Sequence, residues 1–422
     1  MLDIKFIREN KDLILEAARK KRIKFDVDKL ITLDDKRREV LARVEERRRE
    51  QNEFSLKIAA ERNSALKLEW IEKMKTLKES LQEEENELRE LMKEWQALML
   101  QVPNIPDVSV PEGDGEKDNV ELKIWGEKPT FNFPIKDHVE LMTFLDMVDF
   151  ERGIKAHGFR GYFLLNTGAD LSWAVWNYAR DFFSVNGAQH VITPAIVRKE
   201  HFYGTGHLPN EAEDLFKTQD DEFLSGTAEV PMMAFYADEV LKKEELPKKF
   251  LAFSPCYRRE AGSHGKDIKG LIRVHEFYKL EQLVLCEAKH EESERLHEEL
   301  TRRTEEFIES LGLPYRRLVI CGGDLSASKV KQYEIELWLP SQKAYREIAS
   351  SSYYHDFQTR RFNIKYDDNG KKSYAHSLNN TAIPTPRILV ALVENNQTAS
   401  GSVKIPKALV PYLNGCTEIT KN

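Results

Sequence analysis

Between Pro255 and Glu281 the chain places Arg258 and Glu260 on one side of a basic, glycine-containing segment, with Arg273, Phe277 and Glu281 on the other. The run reads as strand, loop and strand. Positions 273, 275, 277, 279 and 281 are expected on one strand face, because side chains alternate with a period of two. A cation, an aromatic ring and a carboxylate gathered in this way can hold a triphosphate, a purine and an amine side by side. A charged surface hairpin is the competing reading.

Other segments carry matching chemistry. Thr227-Ala228-Glu229 sets a hydroxyl and a carboxylate two residues apart, on one face if extended; the same residues could instead open a helix. With Glu281 they would form a pocket for an ammonium group and a small polar side chain. Glu347 stands three residues before Ser350, and oxygen ligands of this kind suit Mg²⁺, which shares substrate phosphates. Arg387 opens an apolar run, 387–394, where it could point from a helix end into a site or cap that helix. Nothing matches GxxxxGK[ST], and Gly204-Thr205-Gly206 is too short for a dinucleotide fingerprint. There is no G-x-S-x-G elbow either. Phosphate handling must therefore rest on arginines and a metal.

The elements that position these groups are legible in outline. The chain has 422 residues, 32% charged, and a net charge of −7, so it is not basic overall and a polyanion would need a local patch. DNA is not expected as a partner of a chain with this net charge, and no run of 18 apolar residues occurs, so a membrane span is not expected either. The four cysteines are scattered and the first residues lack a signal-peptide core, which fits a reduced cytoplasmic location. Residues 1–100 contain no proline and are rich in Glu, Lys, Arg and Leu. One heptad frame holds Leu30, Leu33, Val40, Val44, Phe54 and Ile58, broken by Arg37, Arg47 and Gln51. A second holds Ile71, Met74, Leu81, Leu88, Met92, Trp95 and Met99, broken by Lys78 and Glu85. The seams flank Asn63-Ser64, and two long helices folded into an antiparallel coiled coil are predicted. Arg37, Arg38, Arg43, Arg47 and Arg48 crowd the first helix and are candidates for phosphate contact; a solvated, ion-paired face is the alternative. After a Pro- and Gly-rich linker near 102–115, short apolar strands and amphipathic helices such as 287–311 predict an α+β domain. The domain division is expected at 1–105 and 106–422.

Taken together, these residues resemble the class II aminoacyl-tRNA synthetases, and among them seryl-tRNA synthetase of the bacterial type. The likeness runs through the arm, Gly204–Pro209, Thr227–Pro231, Arg258 through Glu281, Trp338–Gln342, Arg346–Ile348, Asp356–Arg361, Arg387 and the ending Gly401–Leu409. It implies an antiparallel β-sheet catalytic domain with flanking helices, and a homodimer whose first motif ends at Pro194. It implies activation of L-serine with ATP and Mg²⁺, then transfer to tRNA-Ser, and to tRNA-Sec where an organism has it. Arg258, Glu281 and Arg387 would be catalytic. Thr227, Ala228, Glu229, Arg258, Glu281, Asn379 and Thr381 would bind serine. Arg258, Arg259, Glu260, Arg273, Val274, Phe277, Glu347, Ile348, Ala349, Ser350 and Arg387 would bind ATP. Glu347 and Ser350 would hold Mg²⁺, Phe277 would stack the adenine against Arg387, and the arm would grip the long variable arm of tRNA-Ser.

This sequence departs from the family pattern in three places. Asn380 and Ala382 flank Thr381 where glycines flank a serine, Pro386 precedes Arg387 where a glycine is usual, and Lys269 replaces a common arginine. Two alternatives stand beside the ligase: a relative that loads a carrier protein, which would lack the arm, and a catalytically altered class II-like RNA-binding protein, which should have lost Arg258, Glu281 or Arg387.

Overall fold

The computed structural model describes residues 2–184, 187–262, 265 and 267–421. They form two compact units, one of residues 2–19 with 23–103, the other of residues 20–22 with 104–422.

The first unit is helical. Two short helices, Ile4–Glu9 and Lys11–Lys20, precede α1 (Val27–Ala60) and α2 (Ser64–Gln101). Asp26 caps α1 by accepting the Lys29 N–H, and Asn63 caps α2 by accepting those of Ala65 and Leu66. The α1 seam is as expected at Leu30, Leu33, Val40 and Val44, all buried. The α2 frame needs correction. Leu77 and Leu91 are buried and Leu98 packs against the core, whereas Ile71 and Met92 are exposed. Met99 is buried as expected, but the seam before it runs 74, 77, 81, 84, 88, 91 and 95, so Glu84 interrupts it rather than Lys78 or Glu85. Arg47, the break in the opposite seam, donates through Nε to Glu84 at 2.7 Å. Arg37 lies over the Trp95 ring, 4.8 Å from its centroid, and donates to Asp34 at 2.8 Å.

The second unit is built on an eight-stranded sheet. Its strands are β1 (Val120–Trp125), β2 (Gln189–Ile192), β3 (Lys248–Tyr257), β4 (Glu276–Cys286), β5 (Tyr315–Val319), β6 (Lys331–Leu339), β7 (Ala344–Tyr353) and β8 (His376–Thr385). Their spatial order is β1-β5-β6-β7-β8-β4-β3-β2. All neighbours are antiparallel except β2 and β3, which are parallel. Leu280 enters the main core and Gln282 donates to the Leu300 carbonyl of helix α6 (His290–Ser310). Phe277, Lys279 and Glu281 therefore face the other way. The expected alternation holds only from there: β4 begins at Glu276, so Arg273 and His275 belong to the loop before it.

Helix α6 is pinned to the sheet by buried polar contacts. Asn380 donates to the Leu300 carbonyl at 2.9 Å and to Thr304 Oγ1 at 2.8 Å. His297 stacks on Tyr333 with ring centroids 4.5 Å apart, and its Nε2 sits 2.9 Å from the Ser351 carbonyl, so that nitrogen carries the proton. Burial lowers the His297 pKa to about 3. The folded value lies below the unfolded one, near 6.5, so this histidine's stabilisation is complete above pH 6.5 and is lost as pH falls toward 3. The slope is about 1.4 kcal/mol per pH unit for one proton. His297→Gln keeps a donor for Ser351 but cannot titrate. Its melting temperature should fall less than that of the parent between pH 7 and pH 5, and parallel curves would contradict this account.

Candidate active site

On the face that Phe277 and Lys279 share, a cavity of roughly 950 Å³ opens. Arg258, Glu260, Arg273, Val274, Phe277, Glu347, Ile348, Ser350, Thr381 and Arg387 all line it. Of the residues expected at an ATP site, Arg259 and Ala349 do not. Arg259 is exposed and holds the loop through its backbone N–H to the Asp214 carbonyl, while Ala349 is buried in the sheet. Lys269 is also exposed and outside the lining.

The serine-side residues gather around Glu281, which is buried. Thr227 donates through its hydroxyl to both Glu281 oxygens, at 3.0 and 2.7 Å, and the Ala228 N–H points at one of them. Lys279 Nζ meets Oε1 from the same strand. Burial alone would raise the Glu281 pKa; the Lys279 ammonium, with Thr227 and Ala228, outweighs it and holds the carboxyl below its ordinary range. Glu229, also buried, accepts from Asn379 Nδ2 at 2.6 Å and from the Gln358 amide. Both readings of Thr227-Ala228-Glu229 contributed something. The segment is not extended, since Glu229–Ala234 is helical, and Thr227 Oγ1 also accepts the Glu229 N–H at 3.3 Å. The hydroxyl nonetheless reaches Glu281.

Two bulges aim the remaining groups. Glu347 pairs with Glu336 and Ala349 with Ile335, so Ile348 is an extra residue in β7. Strict alternation would send Glu347 and Ser350 to opposite faces; the bulge brings both to the cavity. Likewise Thr381 pairs with Glu281 and Ile383 with Leu280, leaving Ala382 as the extra residue in β8. Thr381 lines the cavity across from Glu281, while Asn380 turns to α6 and Ala382 is buried, so neither replaces a group of the site.

Arg258 lies with its guanidinium carbon 5.3 Å from the Phe277 ring centroid and donates to the Gly226 carbonyl. Arg273 is paired with Glu260. Arg387 is the first residue of helix α7 (Arg387–Asn395), and it donates through Nε to the Ile272 carbonyl at 3.0 Å and through Nη1 to the Glu347 carbonyl at 2.8 Å. It points into the site and does not cap its own helix.

Among the charged cavity groups that sequence reasoning missed are Lys279, Glu334 and Glu336. Burial, together with the neighbouring Glu347 carboxylate, pushes the Glu334 carboxyl up to about 9. Crowded hard oxygen donors that repel one another in this way fit a divalent cation such as Mg²⁺. Glu347 and Ser350 line the same cavity. The signal available in the sequence was the alternation Glu334-Ile335-Glu336, acidic on one strand face.

Known proteins fit this geometry. Residues 1–106 match the family described as "Seryl-tRNA synthetase N-terminal domain", and residues 215–396 match "tRNA synthetase class II core domain (G, H, P, S and T)". The serine–tRNA ligase of Deinococcus radiodurans is 46% identical over 417 residues, covering 98% of each chain. That of Thermodesulfovibrio yellowstonii is 41% identical over 420 residues, covering 98% of this chain and 99% of its own. The crystal structure of seryl-tRNA synthetase from Pyrococcus horikoshii complexed with ATP superposes with a TM-score of 0.88 at 37% identity, covering 100% of both chains. The cavity, the helical arm and these full-length likenesses agree, and the chain belongs to the serine–tRNA ligase family.

Proposed function

We propose that the chain activates L-serine with ATP to seryl-adenylate and transfers the seryl group to tRNA-Ser. The observation that carries this is the Glu281 cluster. A buried, ionised carboxylate with a hydroxyl on either side, Thr227 and Thr381, stands beside a cavity whose walls carry Arg258, Arg273 and Arg387. Glu281, Glu229, Thr227 and Thr381 receive the amino and hydroxyl groups of serine. A substrate lacking the hydroxyl leaves buried polar groups unpaired, and such a site rejects it strongly. Arg258 bridges the serine carboxylate and the α-phosphate, Arg273 and Glu260 lie at the phosphates, and Phe277 with Arg387 sandwiches the adenine. The serine carboxylate attacks the α-phosphorus in line and pyrophosphate leaves. The arginines hold the reactants and stabilise charge on the phosphoryl oxygens, so catalysis is positioning plus electrostatics. When bound, Mg²⁺ neutralises phosphate charge, and Glu347 and Ser350 would hold it. In the second step a hydroxyl of the terminal adenosine attacks the adenylate carbonyl.

The arm is proposed to contact tRNA by shape and backbone. Ion pairing narrows the candidates. Arg37, Arg43, Arg47 and Arg48 each have an acidic partner, while Arg38 has none among the described residues. A homodimer is proposed through β2 and the residues leading to Pro194, because Ile192 there is 82% exposed. No helix among the described residues is long and apolar enough to cross a membrane, and the four cysteines are free, which supports a cytoplasmic location.

Serine-dependent pyrophosphate–ATP exchange followed by charging of tRNA-Ser tests the central reading. Exchange with serine and not alanine is expected, and absence of serine-dependent exchange would refute it. Lys279→Met should lower exchange by about a hundredfold, since a buried carboxylate loses its counter-ion. The Glu281 pKa then rises, so the acid limb of the pH–rate profile should move to higher pH; a limb that stays in place would separate Lys279 from the ionisation of Glu281. Ile192→Asp should convert a dimer to a monomer in light scattering, and a mass unchanged by the substitution would rule out this face.

A further inference from the structure

The cavity wall formed by residues 271–274 is held from beneath by groups that the mechanism does not use. His138 opens helix α3 (His138–Phe144) and is buried, and Glu394, in the last turn of α7, is fully buried. Glu394 Oε1 accepts the His138 backbone N–H at 3.1 Å and lies 3.0 Å from its Nδ1, while Oε2 accepts the Ser341 N–H at 3.2 Å. The Leu271 N–H donates to His138 Nε2 at 3.1 Å. A backbone amide can only donate, so Nε2 is the acceptor and Nδ1 carries the proton toward Glu394. One neutral tautomer thus satisfies a carboxylate on one side and the loop on the other. Gln397 adds a second brace, exchanging two hydrogen bonds with the backbone of Lys136, at 2.9 and 3.0 Å.

Two further facts tie this relay to the site. Gly270 has φ +90°, and a Cβ there would sit 2.1 Å from His138 Nε2, so the imidazole occupies the space directly against the loop. Arg387 and Glu394 lie seven residues apart on α7, two turns along one face. Each addresses one of two adjacent loop residues. Arg387 Nε bonds the Ile272 carbonyl, and Glu394 reaches the Leu271 N–H through His138. Leu271, Ile272, Arg273 and Val274 all line the cavity.

We infer that His138 is a positioning residue for the nucleotide: with Glu394 it locks the 270–273 backbone to the helix that carries Arg387. The loop wall and the arginine then move as one body, and Arg273 is presented at a fixed distance from Arg387. The inference rests on the reading of the cavity as an ATP site. It assigns His138 no contact with serine, because the Glu281 cluster shares no hydrogen bond with it.

The test is pyrophosphate–ATP exchange with KM measured separately for ATP and serine. His138→Ala should raise KM for ATP about tenfold, the effect of losing a buried hydrogen-bond partner, and leave KM for serine within about twofold. His138→Gln carries an amide oxygen to the place of Nε2, can accept from Leu271, and should recover most of that loss. Should His138→Ala fail to fold, Gly270→Ala presses on the same imidazole from the loop side and should give the same split between the two KM values. Equal changes in both KM values, no change in either, or a glutamine variant no better than alanine would overturn the inference. A parent protein that exchanges with serine while these variants behave like it would refute only this inference. A parent that does not exchange would refute the ATP–serine reading itself.

Discussion

Keeping Glu281 ionised in the middle of a sheet is the constraint on which the site depends. A carboxylate removed from water is strongly disfavoured unless it is paired and fully hydrogen-bonded. Its partners come from separate pieces of chain. Lys279 lies one alternation away on the same strand, Thr227 and Ala228 arrive at the start of a helix, and Thr381 faces it from β8. Lys279, Thr227 and Ala228 each donate to the carboxylate, so a shift of any one of them weakens the compensation of a buried charge. The helix at Glu229–Ala234 must dock where it does, and β8 must keep its register against β4.

That requirement also explains the division of the sheet into two chemical faces. On one, Leu280 and Gln282 meet the hydrophobic core and α6, and Asn380 Nδ2 and His297 Nε2 donate to backbone carbonyls. On the other, charged groups of both signs stand close together, Arg273 against Glu260 and Arg387 against Glu347, with Glu334 and Glu336 in the same lining. Burial shifts the titration of groups on both faces, lowering His297 and raising Glu334. At Glu334 the Glu347 carboxylate adds to the effect of burial, and a bound cation would relieve that repulsion.

Much of this was legible in the residues, and the failures have definite physical origins. Arg258, Phe277, Glu281 and Arg387 were readable because their types and spacing already describe a nucleotide beside an amine. Glu347 and Ser350 have odd spacing, and only the extra residue at Ile348 reconciles it with a shared face. A bulge leaves no mark in composition. Lys279 looked like ordinary alternation, since one sequence cannot say whether a lysine at a strand face meets water or a carboxylate. In the arm, the apolar residues of α2 allow two heptad frames, and the wrong one counts Ile71 and Met92 in place of Leu77 and Leu91. The arbiter is a polar residue, Glu84, whose partner Arg47 lies on the other helix. His138 and Glu394 are 256 residues apart in sequence, and neither is exceptional where it stands.

The Arg47–Glu84 contact has a consequence for how such an arm can change length. Two antiparallel helices with uniform apolar seams could slide by a heptad at little penalty, whereas one polar pair inside the seam admits a single alignment. A 34-residue helix is about 51 Å long, and each heptad adds about 10 Å. Insertion into one helix alone would displace Arg47 from Glu84 or force the tip to bulge. Over evolutionary time the arm therefore behaves as a ruler graduated in matched heptads, lengthening or shortening by the same step on both helices and on the tip side of that pair.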